Sequence, residues 1–145
     1  METLKKYSQN GSFRFHLRDK LSECFMDCNA PTDASGLYLI YGIKNGFEEL
    51  VYIGISGKLL SNGVIQHRVS GLGGLRDRLI NGKHRYSGTG KKVTRYIFWK
   101  ETMAKEGFDQ LKIDWYATHR SNIYDSPAEI EERLVNKYKP RWNRK

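Results

Sequence analysis

Tyr38 and Tyr52 each stand near a glycine within an apolar run, in Gly36-Leu37-Tyr38 and Tyr52-Ile53-Gly54. Glycine in a strand admits close approach of another backbone or a ligand. Two such strands joined as a hairpin bring two phenols together on one surface, a pattern of a site rather than of a core. Phenols can orient or deprotonate water. Hydrolysis of a phosphodiester needs an activated water, charge compensation on the phosphoryl oxygens and help for the departing alkoxide. A divalent cation together with Arg or Lys supplies the last two. A hard cation such as Mg²⁺ takes carboxylate oxygen and tolerates one or two protein ligands. The candidate carboxylates are Glu129, Glu131 and Glu132. Glu129 fits a capping box with Ser126, and Glu132 adjoins Arg133 and reads as solvated. Glu131 borders the stripe of Ile130, Leu134, Val135 and Tyr138, at the edge of the buried face.

Charge narrows the class of partner. In 145 residues, 25 Lys and Arg oppose 16 Asp and Glu, a net charge of +9. A domain this basic suits a polyanion. No run approaches the roughly 18 apolar residues of a membrane span, so DNA is the expected partner and a membrane is not. The polar start carries no secretion signal, and a cytoplasmic protein, nucleoid-associated when on DNA, is expected. Cys24 and Cys28 share an apolar helical face with Leu17, Leu21 and Phe25, so they read as buried thiols. Two basic stretches stand out: Lys83, Arg85, Lys91, Lys92, Arg95 and Lys100 with Tyr86 and Tyr96 interleaved, and Lys137, Lys139, Arg141, Arg144 and Lys145 around Trp142. Phosphate contacts from these residues give affinity without sequence information. A solvated helix face accounts equally well for any single one of them.

The elements that must position these residues follow from patterning. Residues 1–35 read as an N-terminal helical extension, with the helix at His16 to Cys28, and 36–145 as the main domain. Strands are expected at Gly36 to Ile43 and Leu50 to Ile55, joined through Lys44-Asn45-Gly46, where Asn-Gly takes positive φ cheaply. Helices follow at Gly74 to Asn81 and Lys91 to Glu106, the second stopped by Gly107. Leu111 to Ala117 alternates as a third strand. The last helix starts at Ser126-Pro127-Ala128-Glu129 and runs to Tyr138, where Pro140 bars continuation. The expected class is α/β of the α+β kind: a small three-stranded, mainly antiparallel sheet flanked by helices.

The paired tripeptides resemble the signature of the GIY-YIG nuclease family, over about residues 36 to 143. Members carry a metal-binding glutamate on a late helix, four residues before an aliphatic position, and soon afterwards Pro-x-x-Asn. Glu131, Val135, and Pro140-Arg141-Trp142-Asn143 fall in the matching places. The family's helical arginine follows Leu-x-x-Arg, which Leu75-Arg76-Asp77-Arg78 matches at Arg78. Some members have a histidine four residues after that arginine. Gly82 stands there in this chain, and His84 is the nearest substitute. Leu37 replaces the family's isoleucine, the tyrosine spacing is longer than the commonest form, and Gly57 to Gly74 looks inserted.

The resemblance implies an endonuclease that hydrolyses DNA with Mg²⁺ or Mn²⁺. Glu131 would hold the metal, Arg78 would neutralise the phosphoryl group, and Tyr38 or Tyr52 would orient the water. Asn143 would fix the chain end against the site. A restriction-type or stand-alone enzyme is expected. A structure-selective repair or recombination nuclease and an inactive basic nucleic-acid-binding module stay open, as does a homodimer.

Overall fold

The computed structural model describes residues 4–20, 28–59, 65–66, 74–81, 83–85, 92–120, 123–124 and 126–143. The elements in chain order begin with β1 (Asn10–His16), β2 (Ser35–Lys44) and β3 (Phe47–Ser56). The short strands β4 (Lys58–Leu59) and β5 (Ile65–Gln66) lead to α1 (Gly74–Asn81). Next come β6 (Lys83–Arg85), β7 (Lys92–Thr94) and α2 (Arg95–Glu106). The chain then forms β8 (Gln110–Arg120), β9 (Ile123–Tyr124), α3 (Pro127–Tyr138) and a 3-10 turn at Arg141–Asn143. The main sheet is antiparallel with the order β1-β8-β2-β3, and β9 pairs with β8. Two small ribbons, β4-β5 and β6-β7, lie outside it. The class is α+β, with one long strand more than the three expected.

The extra strand is β1, in the segment read as a helical extension. Phe13 and Phe15 alternate inward, with Ser12 and Arg14 between and beside them. On the other side Ser12 donates to Asp114 at 2.7 Å and Arg14 to Gln110 at 3.0 Å, across to β8. His16 thus ends a strand rather than starting a helix, and its N–H donates to Asp19 at 2.8 Å in the turn that follows. Residues 21–27, Cys24 among them, lie outside the described residues. Phe13, Phe15, Cys28, Ala30 and Ala34 join the same core as Tyr38 and Ile40, so residues ahead of 36 are built into the core of the domain.

Helices cover both faces. Leu75, Leu79 and Ile80 of α1 and Phe98, Trp99 and Met103 of α2 pack on one face. Ile130 and Leu134 of α3 pack on the other, with Leu37, Leu39, Ile53, Leu4 and Tyr7. Covered on two sides, β2 is buried along almost all its length, which is why it reads as a continuous apolar run. At the hairpin tip Asn45 (φ 52°) and Gly46 (φ 80°) take the two positive φ values that a two-residue turn requires.

Two local expectations change. The helix expected from Lys91 begins at Arg95, because Lys92, Val93 and Thr94 are extended and pair with β6. Val93 and Thr94 are β-branched and favour that state. Lys91 lies outside the described residues. At α3, Ser126 is the extended N-cap residue and Pro127 opens the helix, but the capping box does not form. The Ser126 hydroxyl is buried without a partner among the described residues, and Glu129 is exposed. Glu129→Ala is therefore expected to change stability by no more than about 0.5 kcal/mol, the usual surface effect. A thermal melt against the parent checks it, and a larger loss would restore the cap. Among the described residues, no helix is long and apolar enough to cross a membrane.

Candidate active site

A strict hairpin register would separate the two tyrosines. Counting back from the Asn45-Gly46 turn, Lys44 pairs with Phe47 and Tyr41 with Leu50. Plain alternation beyond that point would put Tyr52 on the face opposite Tyr38. The register shifts between Ile40 and Tyr41, leaving Val51 as the extra residue of a β-bulge. Beyond the bulge Ile40 pairs with Tyr52 and Tyr38 with Gly54. Tyr52 thereby joins the face of Tyr38 while Leu50 stays on the other face. The rings become diagonal neighbours, 6.0 Å between centroids and tilted by 31°.

Gly54 has a steric reason. A Cβ there would run into the Tyr38 ring and hydroxyl, so the phenol lies directly across the glycine. Gly36 is equally constrained: a Cβ would strike the carbonyl of Tyr116 on β8. The two glycines that flank the tyrosines in the sequence are therefore close-approach positions.

α1 supplies cations to this face. Its first-turn N–H groups are held by the loop ahead of β2, Leu75 to the Ala34 carbonyl at 3.2 Å and Arg76 to the Pro31 carbonyl at 3.0 Å. The Arg76 side chain donates to the Ala30 carbonyl at 2.9 Å and thus serves the loop. Arg78 serves the tyrosines. Its side chain is hydrogen-bonded to Tyr38. Tyr38 above all, with Tyr52 and Glu131, holds its guanidinium more firmly in the charged form, against the opposing effect of burial. Glu131, half-buried on α3 at the far face of the sheet, acts on this cluster through its charge, as the weakest of the influences on Tyr52 and Arg78. β3 is the edge strand there, so a helix on the second face can act around it.

Asn143 sits on the same edge. Its side-chain oxygen accepts from the Ile53 N–H at 2.9 Å and its amide donates to the Ile53 carbonyl at 2.8 Å. It pairs with the strand next to Tyr52 as another strand would, and so holds the chain end and β3 together. Arg141 forks onto Glu49 at 2.6 and 2.9 Å and also reaches Glu106 at 2.6 Å. Trp142 donates to Glu106 at 2.9 Å and packs edge-on against Phe98.

The basic stretches divide. Arg95 is completely buried, so it is not the surface phosphate contact expected of it. Arg141 is committed to two carboxylates within the protein. Lys139 is exposed and caps α3 in the left-handed conformation. Lys83, His84 and Arg85 lie on β6 and Lys92 on β7, a ribbon rather than a helix face. Arg95 is also the residue of this site that sequence reasoning misplaced. Its signal was helical phase, since Phe98 and Trp99 follow at the spacing of one face.

The Tyr52 phenol is held in its protonated form. The Tyr38 phenol beside it and burial push Tyr52 above the usual tyrosine range, and Arg95 and Arg78 offset only part of this. On the other face, burial, then Asp114 and neighbouring groups, push Tyr41 up to about 12, and burial with Asp114 raises Tyr116. A phenol raised in the folded state stabilises the fold below its unfolded value of about 10, and that stability is lost as pH climbs through the folded value. Melting temperature is therefore expected to fall from about pH 10 toward 12, and Tyr41→Phe to blunt the fall. A parent and a variant that decline alike would remove Tyr41 as a cause.

Among the described residues, no three His, Cys, Asp or Glu side chains are grouped to hold a metal ion. A single half-buried carboxylate such as Glu131 can still serve a hard cation that takes its other ligands from water. Compared with known proteins, the chain is matched by no family model, no curated protein and no solved structure.

Proposed function

We propose that the protein is a metal-dependent DNA endonuclease of the GIY-YIG kind. One observation carries the reading: two phenols, the Arg78 guanidinium and the charge of Glu131 act on one another near one edge of the sheet, from four separate elements. A divalent cation held by Glu131 would, when bound, supply charge compensation at the phosphoryl oxygens and the leaving oxygen. Arg78 binds the scissile phosphoryl group and stabilises its added charge. Tyr52, protonated and half-buried, orients the attacking water by hydrogen bonding. The water oxygen bonds to phosphorus, the bond to the 3′ oxygen breaks, and a proton ends on that oxygen. Asn143 holds β3, and with it Tyr52, in place. The restriction-type or stand-alone enzyme remains the preferred form.

The test is incubation of the full chain with supercoiled plasmid under Mg²⁺, Mn²⁺ or EDTA, with branched DNA as a second substrate. Metal-dependent nicked and linear products support the reading. Cleavage confined to branched DNA selects a structure-selective nuclease. Shifted but uncut plasmid in every metal selects the binding module.

A further inference from the structure

Arg95 opens α2, where the helix dipole disfavours a cation, and it is completely buried. Burying a guanidinium costs several kcal/mol unless geometry and hydrogen bonds compensate, on the order of the penalty for any buried ion. Two of its bonds run to the tyrosine site. Its Nη2 donates to the Tyr38 hydroxyl, and its Nε donates to the Arg78 carbonyl at 2.8 Å. Its Cζ lies 4.9 Å from the Tyr38 ring centroid and 5.9 Å from that of Tyr52. The Arg78 side chain is hydrogen-bonded to the same Tyr38. Two guanidinium groups thus share one phenol, and one of them also grips the backbone of the other. A pair of like charges so close suits a site that receives an anion.

We propose that Arg95 is a positioning residue for the phosphodiester site. It locks Tyr38 and the α1 backbone at Arg78 into one unit, and so sets where Arg78 meets a phosphate. This rests on the nuclease reading for the rate, but not for the lock itself. Lysine keeps the charge and loses the fork, because an ammonium cannot present two donors in one plane.

The experiment uses Arg95→Lys in the full chain with two readouts. The first is the ζ-carbon NMR resonance of Tyr38, assigned by its loss in Tyr38→Phe, with and without a phosphorothioate DNA duplex and Ca²⁺. The second is plasmid cleavage under Mg²⁺, as kcat and KM. In Arg95→Lys the Tyr38 resonance is expected to move, and its response to the duplex to shrink. The kcat is expected to fall by about 10-fold or more with KM little changed, as for a lost transition-state contact. The double variant Arg95→Lys/Tyr38→Phe is expected to be no slower than Tyr38→Phe alone, since both act through one phenol. If Arg95→Lys melts far below the parent, Arg95→Gln is read in the same way. A parent that cuts no DNA removes the nuclease reading, and the resonance then decides the lock alone. An unmoved Tyr38 resonance, or additive losses in the double variant, would overturn the proposal.

Discussion

Replacing Arg78 by alanine is expected to cut the cleavage rate by about 10²- to 10³-fold with DNA affinity nearly unchanged, the range found when one preorganised charge-stabilising donor is lost. The guanidinium is half-buried and engaged with the tyrosine pair, so it is expected to contribute little to general attraction for DNA. Glu131→Ala is expected to abolish metal-dependent cleavage and leave the fold intact, because the apolar contacts of α3 come from Ile130 and Leu134 instead. Arg76→Ala is the internal control. It loses its bond to the Ala30 carbonyl, costing about 1 kcal/mol of stability, and leaves the rate near that of the parent. Rate assays, gel shifts in EDTA and thermal melts on the three variants decide the matter. Equal rates for Arg76→Ala and Arg78→Ala would remove Arg78 from the site, and an active Glu131→Ala would remove the metal assignment.

The two tyrosines are expected to respond differently to the loss of a hydroxyl. Tyr38 is completely buried, and its hydroxyl accepts from Arg95 and is hydrogen-bonded to Arg78. Tyr38→Phe leaves buried charged donors without that acceptor. The expected cost is about 1–3 kcal/mol of stability, together with most of the activity. Tyr52 is half-buried. Tyr52→Phe keeps the ring that packs against Tyr38 and is expected to melt close to the parent while losing most of its activity. Extra Mg²⁺ should rescue neither. Melting curves paired with cleavage rates separate the cases. Full activity in both Phe variants would defeat the proposed chemistry.

Much of this arrangement was legible because its determinants are local. Asn45-Gly46 forces a two-residue hairpin, α1 keeps its expected bounds, and Gly107 ends α2 in the left-handed conformation with its N–H on the Met103 carbonyl at 2.8 Å. What escaped is non-local. β1 alternates only through Phe13 and Phe15, and it exists because β8, far along the chain, offers an edge. The bulge at Val51 cannot be read from alternation, yet it is what places Tyr52 beside Tyr38. Arg95 carries the composition of a surface residue, and its burial depends on two phenols and a helix end that only the folded chain brings together. The capping box failed for the opposite reason: its motif is local, but the Ser126 hydroxyl turned to the interior.

The placement of β1 has a consequence for the order in which the chain acquires structure. The β2-β3 hairpin can close as soon as it is made. β1, although synthesised before the hairpin, pairs Asn10 with Tyr116 and His16 with Gln110, so its partner is made well after it. Until then Phe13 and Phe15 have no face to cover, and the sheet cannot be completed during synthesis of the first hundred or so residues, because non-local pairing must wait for its second strand. The N-terminal strand is thus a closing stave. The face that holds Tyr38 and Tyr52 can be sealed only after β8 has emerged, which couples the closing of that face to the making of a strand some hundred residues further on.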